Sequence, residues 1–397
     1  MNTEILAAFF QTHDYLVDHV QSPVHRVLMD EIDWSHRLIG IKGSRGVGKT
    51  TFLLQYAKER FGHDRRCLYV NLNSFYFTQH SLVDFAAHFV QQGGRTLLLD
   101  QMFKYDHWAV DLRACYDRYP MLHIVFSASP VMRLIDGNEH IGNIVRSYNL
   151  RGFSFREYLN LQSGSSFEMF TLDELLRNHE QLSRHVCNQT KPLWYFQDYL
   201  EHGYYPFFLE HRNFMETLLK TMNMMIEVDI LLIKQIDLKY LSKIRTLLHI
   251  MMNQTPGGLN VSQLSQTIDV SRATVMNYIK CLQDARMLNL LYPQGNVYPK
   301  KPSRVYMHNT NLMYALQTCQ PDTLSVMETF LYNALHARHK VNVGGKGMDF
   351  MIDGRDHFHA CTPDTLARTT FRTYNAVSDI EQGEKHNIPI WLFGFLY

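Results

Sequence analysis

The chain has no apolar run of membrane-spanning length: its longest, LLIKQ after IEVDI and the closing IWLFGFLY, fall well short of the roughly 20 residues that a spanning helix needs. The opening MNTEILAAFFQTHDYL has no basic flank, and Gln, His and Asp break it before a signal-like apolar stretch builds up. A cytoplasmic protein that engages no membrane is therefore expected. Charge of one sign is not in excess either. With 39 basic against 38 acidic residues, no global field draws nucleic acid, so any such contact must come from a local patch. The six cysteines, Cys67, Cys115, Cys187, Cys281, Cys319 and Cys361, form no CxxC and no Cys/His pair, which favours reduced structural thiols over zinc or disulfides. No internal repeat or low-complexity tract is found.

What is present is length for two or three domains and a regular alternation of apolar runs with helical stretches. RLIGIKG (37–43), CLYVNL (67–72), TLLLD (96–100), LHIVFS (122–127) and SYNLRG (147–152) read as strands separated by crossover helices, the pattern of an α/β domain with a parallel sheet covered on both faces. From SFREYL at 154 the pattern is helical to about 253. TPGG at 255–258 is a turn signal, followed by two short helices and a hairpin through PQGN. Beyond about 322 one helix precedes short strands around GMDFMIDG, DHFHAC and IPIWLFGFLY.

GSRGVGKT at 43–50 matches G-x-x-x-x-G-K-[ST] in full, directly after a strand and directly before the helical TTFLLQYAKERF, which is the context a phosphate-binding loop requires. Gly43, Gly46 and Gly48 let successive N–H groups turn inward, and the helix adds its positive end. Ser44, Arg45, Val47 and Thr51 complete the expected ATP contacts. Lys49 is placed to reach the β- and γ-phosphates and the Thr50 hydroxyl to ligate Mg²⁺. In TLLLDQMFKY, Asp100 fits the strand-end carboxylate that holds Mg²⁺, but Gln101 follows where a base is expected. An amide orients water and has no usable basicity. Ser127, with Ser129 as alternate, is the expected contact to the γ-phosphate or its water.

The order GSRGVGKTTFLLQ, LLLDQMFKYDHW, IVFSASP, SYNLRGFSFREYL and IPIWLFGFLY resembles the prokaryotic AAA-like ATP-binding proteins of the AAA/archaeal-ATPase superfamily that carry a C-terminal domain of unknown function, in the version found in Bacteroidetes. The resemblance implies a P-loop (RecA/AAA-like) sheet domain over 1–155, a helical lid or linker over 156–253, a winged helix-turn-helix over 254–320 and a degenerate restriction-endonuclease-like α+β domain over 321–397. This chain departs from the family where Asp is usually followed by Glu, and where Gly142-Asn143 stands in place of Gly-Arg, with Arg146 close by as a substitute. In the C-terminal region Glu328 and Asp349 fit two acidic positions of a nuclease, whereas His359 and Cys361 replace its Glu and Lys, so nuclease activity is not expected.

The leading expectation is an ATP·Mg²⁺-binding switch with weak or absent hydrolysis and a protein partner. The alternative is a working ATPase in which Gln101 or Asp106 positions water and a partner supplies the missing cation. A third reading is a DNA-binding regulator using Arg272, Asn277 and Lys280, with Lys300, Lys301 and Arg304 as backbone contacts.

Overall fold

The computed structural model describes residues 3–210, 213–254, 256–315, 320–345 and 347–397; Cys319 lies outside them. The chain divides into two compact units, Met1–Arg151 and Gly152–Tyr397.

The first unit contains α1 (Thr3–His19), the short α2 (Leu28–Glu31), β1 (Leu38–Lys42), α3 (Lys49–Arg60), β2 (Cys67–Asn71), α4 (Leu82–Gln91), β3 (Thr96–Asp100), α5 (Trp108–Arg118), β4 (His123–Ala128) and β5 (Arg146–Asn149). Its strands lie in the order β2-β3-β4-β1-β5, and each neighbouring pair is parallel. The central strands are continuous apolar runs, as expected when helices cover both faces: all five residues of β3 are buried. β5, reading RSYN, has no fully buried residue and forms one edge.

At the other edge, β2 would leave backbone donors unpaired. α1 covers it, and the His13 Nδ1 accepts the Tyr69 backbone N–H at 2.9 Å. The five strands fall where the alternation predicts. The register Leu99↔Phe126 and Ile41↔Ser127 brings the carboxyl ends of β1, β4 and β3 to one level, the usual binding edge of an open α/β sheet.

The second unit runs through α6 (Phe155–Ser163), α7 (Leu172–Cys187), α8 (Pro192–Asp198), α9 (Phe214–Met224), α10 (Leu241–Gln254), α11 (Val261–Thr267) and α12 (Arg272–Asp284), then β6 (Leu288–Leu291), β7 (Arg304–Met307), α13 (Thr310–Tyr314) and α14 (Thr323–Leu335). It ends with β8 (Val341–Val343), β9 (Phe350–Ile352), β10 (Asp356–Cys361), β11 (Thr373–Val377) and β12 (Asn387–Pro389). β6 and β7 are antiparallel. β8 to β10 pair antiparallel and β10 to β12 parallel in one five-stranded sheet.

α6 opens with a capping box in which the Ser154 Oγ accepts the Glu157 N–H at 3.1 Å and the Ser154 N–H returns to Glu157 Oε2 at 3.0 Å. Two such orphan donors would otherwise go unsatisfied. The buried Asn311 donates to the carbonyls of Tyr199 and Leu200 and accepts from the Tyr204 N–H, closing an irregular helix end.

IPIWLFGFLY is expected as a strand, but only its start is one. Pro389 pairs with Val377 as the last residue of β12, lacks an N–H to continue the ladder, and hands over to a 3-10 helix at Ile390–Phe395. That helix buries Trp391 and Phe395 against Phe155 of α6.

A Cβ on Gly394 would stand 2.4 Å from the Phe155 Cβ, a clash between two backbone-fixed atoms that no rotamer relieves. Gly394→Ala is expected to destabilise the second unit by roughly 1–3 kcal/mol or more, in line with overpacked cores. A denaturant midpoint equal to wild type would contradict this packing.

Candidate functional site

The sequence-predicted phosphate loop leaves β1 and enters α3 at Lys49. Gly46 and Gly48 have φ of 81° and 90°, which L side chains rarely adopt. Gly43 is needed for a different reason: a Cβ there would lie 2.7 Å from the Leu150 carbonyl oxygen. Val47 is buried and its carbonyl accepts from Arg26 Nη1 at 3.4 Å, which ties that carbonyl to the body of the unit. The Ser44 Oγ is buried with no hydrogen-bond partner. Arg45 places its guanidinium 4.8 Å from the Phe103 ring centroid, linking the loop to the turn after Asp100. Lys49 Nζ donates to the carbonyls of Gly43 and Ser44, both at 2.8 Å. Thr51 is half-buried on the first turn of α3.

Asp100 stands at the end of β3, 2% exposed. Its Oδ2 accepts from Thr50 Oγ1 at 2.7 Å and from the Tyr69 hydroxyl at 2.8 Å. Its Oδ1 accepts from the Gln101 N–H at 2.9 Å and from the Ser127 hydroxyl. The Tyr69 phenol is held far from ionisation, by burial first and then by the charge and hydrogen bond of Asp100, so it acts as a donor. Gln101 adopts a left-handed φ of 56°, and its N–H also reaches Ser127 Oγ at 2.9 Å. Ser129 is buried nearby in sequence, its Oγ accepting from the Val131 N–H at 3.5 Å. Thr50 and Asp100 thus set a hydroxyl beside a carboxylate, the hard oxygen donors that Mg²⁺ takes. With the orphaned Ser44 hydroxyl in the same loop, the residues present fit a phosphate with its metal.

Arg146 does not supply the missing cation. It begins β5 opposite Ile39, near the amino end of β1, whereas the loop follows Lys42 at the carboxyl end. The parallel register separates them by about three residues, or roughly 10 Å. Asn143 is exposed, with its Oδ1 3.5 Å from Arg113 Nη1.

In the second unit the structure gathers Glu328, Asp349 and His359 with two residues the motif did not include. Arg304 Nη1 lies 2.9 Å from Glu328 Oε2 and 3.5 Å from Asp349 Oδ1. Tyr306 donates to Glu328 Oε2 at 3.1 Å, and His359 Nδ1 is 2.8 Å from Asp349 Oδ2. Burial, followed by the Asp349 charge, raises the Glu328 carboxyl; the hydrogen bond to Asp349 leads the rise of His359. Cys361 is buried and its thiol is pushed up to about 12 by burial. Arg304, 44% exposed, is thus paired with two carboxylates, an engagement that the sequence does not suggest.

α11 and α12 form a helix-turn-helix with Ser271 capping α12 through the Thr274 N–H. Their amino ends and residues 298–301 enclose an open groove of about 750 Å³ lined by Val261, Arg272, Met276, Tyr298 and Lys301, among others. Asn277 is exposed. Lys280 instead turns to Asp284 at 2.8 Å and Gln283 at 3.1 Å, and Lys300 to Asn296 at 2.8 Å.

The AAA domain family matches residues 35–159, and a domain of unknown function, DUF8612, matches residues 193–323. The uncharacterized protein MJ1637 of Methanocaldococcus jannaschii is 24% identical over 326 residues, 73% of this chain and 68% of that protein. Among solved structures, the chain is similar to AMPPCP-bound DnaA from Aquifex aeolicus, at 13% identity and a TM-score of 0.26 over 72% of this chain and 89% of that one. It is also similar to the Aeropyrum pernix ORC1 protein in complex with DNA, at 10% identity and a TM-score of 0.31 over 77% and 91%. The AAA match spans the loop and both strand ends that carry Lys49, Thr50, Asp100 and Ser127, and it supports nucleotide binding by the first unit. Among the described residues no helix is long and apolar enough to cross a membrane.

His13 anchors the strand that carries Tyr69, and it does so as a neutral acceptor. Burial lowers its pKa most, Arg65 and His63 add to the lowering, and Asp14 opposes it. The unfolded chain then binds a proton at this position at higher pH than the folded one. Stability is expected to fall as pH drops through 6.5 towards the lowered folded value. Denaturant titrations at stepped pH should show this slope in wild type, and a shallower one in His13→Asn, whose amide oxygen keeps an acceptor that does not titrate.

Proposed function

We propose that the first unit binds ATP with Mg²⁺ and hydrolyses it weakly or not at all, nucleotide occupancy acting as a switch on the helical and C-terminal regions. The observation that carries this reading is the state of Asp100 and Gln101. The carboxylate accepts four hydrogen bonds, the one place that Thr50 can vacate goes to the metal, and the next side chain is an amide, so neither is left as a base for an attacking water. In this reading the loop N–H groups and Lys49 bind the phosphates, and Thr50 and Asp100 hold the metal, which neutralises phosphate charge when bound. Ser127 acts on Asp100 more directly than on phosphate. The C-terminal sheet, read as a degenerate restriction-endonuclease-like module, serves as a packing or interaction domain for a protein partner, and the protein works in the cytoplasm.

Loss of general-base assistance typically lowers rate by about 10²- to 10⁴-fold without abolishing binding. Measured side by side on purified protein, ATP is expected to bind wild type with little turnover, Lys49→Ala to lose the binding, and Gln101→Glu to raise turnover by about two orders of magnitude or more. Multiple-turnover hydrolysis in wild type that vanishes in Lys49→Ala would sink the binding-only reading. It would favour an ATPase whose water is placed by Gln101 or Asp106, with a cation from a partner subunit.

A second reading, a winged helix that binds duplex DNA, is favoured by local charge. Residues 254–307 carry six cations, Arg272, Lys280, Arg286, Lys300, Lys301 and Arg304, against Asp269 and Asp284. With Lys280 and Arg304 engaged internally, Arg272 at the start of α12 is the residue best placed to meet phosphate or a base edge. Duplex affinity should weaken with salt, and Arg272→Ala should reduce the log–log salt slope by about one. No duplex binding at low salt removes this reading.

A further inference from the structure

We propose that Tyr69 is a positioning residue for the metal carboxylate, its hydroxyl holding Asp100 Oδ2 so that a single acceptor direction of Asp100 is left to face Thr50 and the metal. The inference rests on the ATP·Mg²⁺ reading of the loop.

An ionised carboxylate accepts at about four lone-pair sites. Asp100 receives four donors: Thr50 and Tyr69 on Oδ2, Ser127 and the Gln101 N–H on Oδ1. Three of these are built into the unit. Tyr69 is 3% exposed and Ser127 1% exposed, and the third is a backbone amide at the strand end. Thr50 alone among the four is exposed, and it is also the residue whose oxygen the motif assigns to the cation. If Thr50 turns to a cation, the place it vacates on Oδ2 is the one acceptor site that opens.

The reach of Tyr69 follows from strand geometry. Asn71 of β2 pairs with Asp100 of β3, and Tyr69, two residues earlier, projects on the same face about 6.5 Å lower along the strand. A phenol spans that gap where a serine or threonine does not. Its backbone is fixed in turn by β3 on one side and by His13 on the other.

The bland alternative is that a buried phenol simply takes the nearest acceptor, as buried tyrosines do. The two accounts differ in what Tyr69→Phe changes. The substitution keeps the ring and its packing and removes one donor. If Tyr69 is only a core residue, stability falls slightly and nucleotide affinities move together or not at all. If it positions Asp100, the metal-dependent part of affinity falls alone, since loss of an outer hydrogen-bond partner typically costs about 10- to 100-fold in metal affinity.

The test is the affinity of the full chain for a fluorescent ATP analogue in EDTA and in Mg²⁺, together with Mn²⁺ binding followed by electron paramagnetic resonance. Wild type is expected to bind more tightly with Mg²⁺. Tyr69→Phe should keep its EDTA affinity within about twofold and lose about 10-fold of the Mg²⁺ enhancement, with a matching loss in Mn²⁺ affinity. An unchanged enhancement in folded Tyr69→Phe, or equal losses with and without metal, overturns the inference while leaving the ATP·Mg²⁺ reading in place. Equal wild-type affinity in EDTA and Mg²⁺ overturns both. Should Tyr69→Phe fail to fold, 3-fluorotyrosine at position 69, which retains a stronger hydroxyl donor, must shift the Mg²⁺ enhancement and not the EDTA affinity; no shift rejects the role.

Discussion

A buried carboxylate must find its hydrogen bonds inside the protein, and Asp100 imposes that constraint on the whole first unit. Its partners come from the start of α3, the body of β2, the end of β4 and the turn that leaves β3. Only a sheet ordered with β3 between β2 and β4 brings Tyr69 and Ser127 to it from both sides. The loop after β1 leads into α3, whose first turn delivers Thr50. The edge strand must then be held as firmly as the centre, which is why α1 and His13 close the free side of β2. Strand order, edge protection and the phosphate loop all meet at this one side chain.

In the proposed reading the same arrangement separates binding from chemistry. Phosphate binding needs backbone donors and a cation, which in the proposed reading come from the glycine-bearing loop and Lys49 without any carboxylate. Activating water needs an oxygen with spare basicity, and here the strand-end carboxylate is filled by donors while its neighbour is an amide. The backbone adds to this. Gln101 is a non-glycine residue in the left-handed region, a conformation that costs free energy and is offset by its N–H bonding both Asp100 and Ser127. The turn is shaped to satisfy the carboxylate, so an exchange of the Gln101 side chain can be made without rebuilding the backbone that holds Asp100.

Much of this was legible in the chain itself, because the pieces concerned have local signatures. Four apolar runs and the more polar SYNLRG end in turns, and GSRGVGKT carries its glycines, lysine and threonine at fixed spacing between a strand and a helix. The remaining contacts have no local signature. Tyr69 in CLYVN reads as one more core aromatic, and its polar end becomes informative only when Asn71 is known to pair with Asp100. Arg26 and His13 act across long sequence separations, on a loop carbonyl and a strand-edge amide, groups that every residue possesses. Arg304 read as a spare cation for DNA because sequence does not reveal that β7 lies against α14. Arg146 failed in the opposite way, since proximity in sequence suggested a role that the parallel register denies. IPIWLFGFLY carries the apolar composition of a strand throughout, yet Pro389 ends the ladder it joins and the rest is a 3-10 helix.

Two carboxylate sites in this chain therefore differ by the kind of donor that fills them. Around Asp100 the side-chain donors are neutral hydroxyls, and one of them, Thr50, is exposed and is itself a metal ligand by type. In the proposed reading a cation arriving there adds positive charge beside a carboxylate that no cationic side chain hydrogen-bonds, and displaces only a hydrogen bond. Around Glu328 and Asp349 the place between the acids already holds a guanidinium, with His359 on the second oxygen of Asp349. A divalent ion entering there must expel a paired arginine and leave its charge partly buried, which is costly unless a new partner is found. Among the described residues no three or more His, Cys, Asp or Glu side chains are grouped to hold a metal, so the two sites differ in donor chemistry alone: in the proposed reading hydroxyls leave Asp100 open to a cation, whereas at Glu328 and Asp349 an arginine takes the cation's place.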